Sequence, residues 1–74
     1  MSKDAFIMDI MQIKLTNREL DCAKLLAQGF TAKMIGMQLN ISFRTVEEYI
    51  HQLKQKTGQY SKAELAGYFN RWFS

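Results

Sequence analysis

Signals that start and stop helices recur along this chain, and no proline interrupts the stretches between them. Thr16-Asn17-Arg18-Glu19 has the form of a capping box. In such a box the Thr16 hydroxyl accepts from the amide of the third helical residue, and Glu19 reaches back to the amide of the cap. Leu15 and Leu20 flank the box at the spacing of a hydrophobic staple. Gly29 falls where a left-handed residue ends a helix. The spacing predicts a helix over 17–28 with Leu20, Ala23, Leu26 and Ala27 on one face. Thr31 caps a second, short helix over 32–39, with Ile35 and Leu39 inward and Met34 or Met37 flanking. Asn40, second only to glycine as a left-handed stop, ends it. After the tight turn, Ser42 opens a third helix from Phe43 to about Lys56, with Val46, Ile50 and Leu53 at i, i+4 and i+7. Gly58 ends that helix, and Ser61-Lys62-Ala63-Glu64 repeats the capping-box pattern. The last helix runs to about residue 73, with Leu65, Phe69, Trp72 and Phe73 along one side. Alternating β-branched runs are scarce, so the fold class is all-α. Phe6, Ile10 and Ile13 keep helical spacing as well; residues 1–14 are expected as an N-terminal segment or an extra short helix, ahead of one domain over 15–74.

Size and composition exclude several functions. A chain of 74 residues buries only about 60% of the surface its unfolded form exposes. Little room remains for an enclosed active site. One His, one Cys and the sequential pair Glu47-Glu48, which diverge on a helix, make no catalytic constellation, so no enzyme is expected. The hydrophobic fraction of 47% and charged fraction of 23% are those of an ordinary folded domain. No apolar run approaches the roughly 20 residues that span a bilayer, and Met1-Ser2-Lys3-Asp4 does not open a secretory signal. The expectation is a cytoplasmic domain with no membrane partner. Cys22 cannot make an internal disulfide and, with one His, offers no ordinary closed zinc site; no metal and no cofactor are expected. Ten Lys and Arg against seven Asp and Glu give +3, which permits nucleic-acid binding without demanding it.

Two helices joined by a short turn, the second longer and polar on its outer side, make a helix-turn-helix pattern, which places its second helix in the major groove of DNA. Six short motifs are more specific than the pattern. They are Leu15-Thr16-Asn17-Arg18-Glu19, Leu25-Leu26-Ala27-Gln28-Gly29, Lys33-Met34-Ile35-Gly36, Leu39-Asn40-Ile41-Ser42, Arg44-Thr45-Val46-Glu47 and Lys56-Thr57-Gly58. In register from Leu15 to about Leu65, they resemble the LuxR-type (FixJ/NarL/GerE) DNA-binding domain. The resemblance implies a four-helix, all-α domain that binds double-stranded DNA as a homodimer and regulates transcription in bacteria. It implies that the third helix is the recognition helix and that the last helix often forms the dimer contact. It also implies that Lys33 and Thr45 contact the DNA backbone.

Departures from the family pattern are few. Glu47 stands where Lys is common, and Tyr49 where His is usual. Thr57 puts a hydroxyl on the side of Val46, Ile50 and Leu53, and its oxygen needs a partner such as the carbonyl one turn back. Gly36 replaces the usual Ala and is expected to let the first two helices approach more closely. Cys22 stands at a usually apolar position and reads as a small core hydrophobe. The receiver or ligand-sensing domain of many members is not in this sequence. That leaves a stand-alone member or a C-terminal fragment, and Met1 favours the first.

With Val46 as the centre of the buried face, Arg44, Glu47, His51 and Gln55 lie opposite, with Glu48 and Lys54 at the margins. Arg44, Glu47, Glu48, His51 and Gln55 are the candidates for base edges. Lys33, Thr45, Lys54 and Lys56 are the candidates for phosphates. Four rings at Tyr68, Phe69, Trp72 and Phe73 exceed one buried stripe. Phe69, Trp72 and Phe73 are therefore core residues or a dimer surface. RNA polymerase or another regulator is a further candidate partner. The competing reading is a protein-interaction module, a regulator-binding adaptor on the same scaffold.

Overall fold

The computed structural model describes residues 14–73, which hold four α-helices and no strand. They are α1 (Asn17–Ala27), α2 (Ala32–Leu39), α3 (Phe43–Thr57) and α4 (Lys62–Phe73). The expected helix or stub around Phe6, Ile10 and Ile13 lies outside the described residues.

Local chemistry sets each boundary. At the start of α1 the Glu19 amide donates to Thr16 Oγ1 at 3.1 Å, and the Thr16 amide donates to Glu19 Oε1 at 2.9 Å. At its end Gly29 has φ +95°, and the Phe30 and Gly29 amides donate to the Leu25 and Leu26 carbonyls. Those two bonds make a Schellman motif, which satisfies carbonyls a helix end leaves open. The Thr31 and Ser42 hydroxyls cap α2 and α3 by accepting from the Met34 and Thr45 amides. Asn40, at φ 58°, ends α2 in the left-handed region. The helix α3 continues one residue past Lys56, and in its last turn Thr57 Oγ1 donates to the Leu53 carbonyl at 2.7 Å, the partner its hydroxyl needs. In the second box the Glu64 amide donates to Ser61 Oγ, while the Glu64 carboxylate reaches past the cap to the Tyr60 amide.

One core joins the helices. Ile35, Val46, Ile50, Leu53, Leu65 and Phe69 are its largest fully buried side chains, and Cys22, Ala23 and Leu26 complete it from α1. The most extensive helix pairing is α1 with α4, locked at one end by Asn70 Nδ2 donating to the Ala27 carbonyl at 3.1 Å. The pair α2 and α3 packs across this layer as the helix-turn-helix.

Two expectations differ from the structure, and a third that was left open narrows. Leu20 is half-buried, and Glu19 and Cys22 take its place on the inner side of α1. At about 100° per residue the stripe centred on Cys22, Ala23 and Leu26 leaves Leu20 at its edge. The close approach at Gly36 joins α2 to the turn and to α3, not α1 to α2. A Cβ there would meet the Ile41 carbonyl oxygen at 2.8 Å and the Phe43 nitrogen at 3.7 Å. Phe69 and Trp72, two of the three dimer candidates, are 0% and 7% exposed in the single chain. Their rings pack edge to face, with centroids 5.3 Å apart, and Phe69 also stacks on half-buried Phe73. Of the two roles expected for these rings, core or dimer surface, their enclosure favours the core.

Candidate nucleic-acid interface

The turn between α2 and α3 is short because both of its ends are tied. Asn40 reverses the chain, the Ile41 amide donates to the Gly36 carbonyl at 2.9 Å, and Ser42 begins α3. Ser42 Oγ also bonds Thr45 Oγ1 at 2.9 Å. The start of α3 is thereby fixed by its cap, which sets the direction in which each Cα–Cβ bond beyond it leaves the helix.

Burial of Val46, Ile50 and Leu53 fixes which side of α3 faces out. Their mean direction lies opposite Gln55 and Glu48, with Arg44, His51 and Gln52 beside them. Arg44, Glu48, His51, Gln52 and Gln55 are all exposed. Gln52 joins this face although it is not among the sequence-based candidates. Ile50 and Leu53 shift the buried direction by only about 10° from Val46, so the spacing from Val46 alone already places Glu48 near the centre of the outer side, admits Gln52 at its edge and leaves Glu47 to the side. Glu47 is half-buried, and its Oε2 accepts from Lys62 Nζ on α4 at 2.7 Å. On the outer face His51 and Gln55 are joined through their Nε2 atoms at 3.2 Å.

The expected phosphate ligands are in different states. Lys33 is exposed and Lys54 half-buried, and neither forms an ion pair with the described residues; nor does Arg44. The Thr45 hydroxyl is held by Ser42. Lys56 is engaged elsewhere. Its Nζ donates to Glu19 Oε1 at 2.7 Å and to the Lys14 carbonyl at 3.3 Å, tying the end of α3 to the start of α1. The Glu19 carboxylate is nearly enclosed, 5% exposed. Burial pushes its pKa up, but the Lys56 ammonium and the Thr16 amide outweigh that and hold it below the usual carboxylate value. Cys22 is fully buried, and burial, aided by Asp21, pushes its thiol up to about 11. It therefore stays a neutral, inert core group.

An open polar cleft runs beside the outer face of α3, between it and the start of α1, lined by Asn17, Arg18, Thr45, Glu48 and Gln52 among others. Among the described residues no group of three His, Cys, Asp or Glu could hold a metal ion. None of the described helices is long and apolar enough to cross a membrane.

A short helix, a three-residue turn and a longer helix with a solvated polar outer side define a protein of the helix-turn-helix class. Comparison with known proteins names the branch. The model of the family "Bacterial regulatory proteins, luxR family" matches residues 13–69, and the chain belongs to that family, whose domain binds DNA and regulates transcription. The chain is 40% identical over 58 residues to the "Probable transcriptional regulator ycf29" of Cyanophora paradoxa, a match that covers 78% of this chain and 28% of that protein. It is 40% identical over 55 residues to the "Response regulator Rre1" of Synechocystis, covering 74% and 24%. It is 43% identical over 51 residues to the "Transcriptional activator protein ExaE" of Pseudomonas putida, covering 69% and 24%. The matched segments thus span about a quarter of these relatives. No solved structure gives a significant match.

Proposed function

We propose that this chain regulates transcription by laying α3 in the major groove of double-stranded DNA. Arg44, Glu48, His51, Gln52 and Gln55 face the base edges, and Lys33, Thr45 and Lys54 meet the flanking phosphates. The observation that carries this reading is the outer face of α3. Its exposed side chains are almost all hydrogen-bonding groups, and the core needs none of them. Arg44 forks onto guanine, Gln52 or Gln55 pairs with adenine, and a Glu48 carboxylate accepts from a cytosine amino group. Glu47 and Lys56 have other duties in this scheme: Glu47 orients Lys62, and Lys56 holds Glu19.

The chain acts as a homodimer on two half-sites. With a formal charge of +3 and few unpaired cations near α3, one copy neutralises few phosphates, and a second copy doubles the count. We assign the contact between the two copies to Phe73, which is half-buried against the core at the end of α4; its remaining exposure supports that role. A cytoplasmic location follows from access to DNA. RNA polymerase or another regulator is the protein partner that would pass the signal on. No enzymatic step is assigned.

Titration of fluorescent duplexes at rising salt tests the reading. Affinity for random DNA should fall steeply with salt, and Lys33→Ala should reduce the logarithmic slope by about 1 for each phosphate contact removed. Arg44→Ala should cost roughly 1–3 kcal/mol and relax preference at one base pair of a selected site. An absence of complex with every duplex at low salt would leave the adaptor reading in its place.

A further inference from the structure

We propose that Phe43 is a specificity-determining residue, packing its ring on the C5 methyl of a thymine where α3 enters the groove. The inference rests on the major-groove reading above. Phe43 is the first residue of α3 and stands directly before Arg44. Its side chain is 56% exposed. It belongs neither to the buried core nor to the half-buried apolar side chains that pack against that core. The fold therefore does not require an aromatic ring at this position.

The backbone that carries the ring is held firmly. Ser42 caps the helix one residue earlier through the Thr45 amide and hydroxyl. Gly36 lets α2 close against the same point, so that a Cβ there would lie 3.7 Å from the Phe43 nitrogen. Side chains on a helix lean toward its N-terminus. At about 100° per residue Phe43 stands roughly 60° from Val46, off the row of Arg44, Glu48 and Gln55, so it meets the groove from the N-terminal end of α3, the end that reaches base edges in helix-turn-helix domains. A phenyl ring has no hydrogen bond to offer a base. The thymine methyl is the apolar group that the major groove displays, and a Phe ring is one of the side chains that pack on it. The contact separates thymine from cytosine at one position by the methyl group, which the hydrogen bonds of Arg44 and the polar row do not read.

The test removes the methyl without altering the fold. A preferred duplex is selected from a random pool with the native chain, and each thymine is replaced in turn by deoxyuridine, which lacks only that methyl. One replacement should weaken native binding roughly fourfold per half-site, the factor that one buried carbon group supplies. Phe43→Ala should weaken binding to the thymine duplex by a similar factor and be indifferent to deoxyuridine at that position. A selected site with no thymine, equal native binding to all deoxyuridine duplexes, or an equal loss for Phe43→Ala on both duplexes would overturn the proposal. Each of those results still leaves a chain that binds DNA. Absence of any duplex complex overturns the major-groove reading as well, so the two failures are distinguishable.

Discussion

At the scale of single residues, the most consequential charge is one the interface does not use. Glu19 closes the cap of α1 and also accepts from Lys56 at the far end of α3. Its folded pKa is held below the usual value. The stability it contributes is therefore present above the unfolded carboxylate range near 4.5 and is lost as pH falls through the lower folded value. Lys56→Met leaves a buried carboxylate with one donor fewer, at a cost of roughly 1–3 kcal/mol near neutral pH. That cost should shrink in acid, where protonated Glu19 no longer needs the ammonium. Urea unfolding of both proteins from pH 7 down to pH 3 measures it. Parallel stability curves would mean that Lys56 acts through its alkyl chain alone. The capping role of Glu19 was legible from its distance to Thr16. The partner Lys56 was not, because 37 residues separate the two, and it was assigned to phosphate instead.

At the scale of elements, punctuation was enough to locate all four helices. Caps and stops act over a few residues, so their chemistry is visible locally. What each helix buries is a different matter. Helical spacing from Val46 already puts Glu48 rather than Glu47 on the outer side of α3 and Gln52 at its edge; what it cannot show is that Lys62, on another helix, engages Glu47. Gly36 shows a similar limit. Its proximity to Ile41 and Phe43 arises only when the turn closes. Ala has the better helix propensity by about 1 kcal/mol, but the added Cβ would press on a backbone oxygen that has no rotamer to retreat into. Gly36→Ala should be net destabilising, by roughly 1–3 kcal/mol, and should weaken DNA binding by moving the start of α3. Thermal unfolding decides the first part. A gain in melting temperature would show that the turn yields at little cost.

At the scale of the whole molecule, the domain is small enough that its aromatic rings must choose between core and partner. Phe69 and Trp72 close the layer between α4 and α1, with Leu65 beneath them. Phe69→Ala should cost roughly 3–5 kcal/mol, a large share of what a domain of this size holds in reserve. Trp72→Ala should likewise lower stability before it alters association. Phe73→Ala should do the opposite, leaving the fold largely intact and shifting sedimentation toward the monomer at micromolar protein. Unchanged association would move the dimer contact off the end of α4. The modest charge bears on the same scale. A protein with few unpaired cations would gain affinity by presenting two copies at once, and the proposed dimer predicts half-sites about one helical turn apart.

The order of amino acids was sufficient for the class of fold, the four helices to within a residue at each end and the family, because each depends on neighbours within a turn or two or on motifs read in register. Packing alone decided the rest. Leu20 yields to Cys22, Glu47 turns to Lys62, Lys56 is claimed by Glu19, and Trp72 packs into the core. Each of those outcomes is a competition for one side chain between solvent, a ligand and a residue distant in the chain. Only the arrangement of α1 against α3 and α4 brings the distant residue close enough to win.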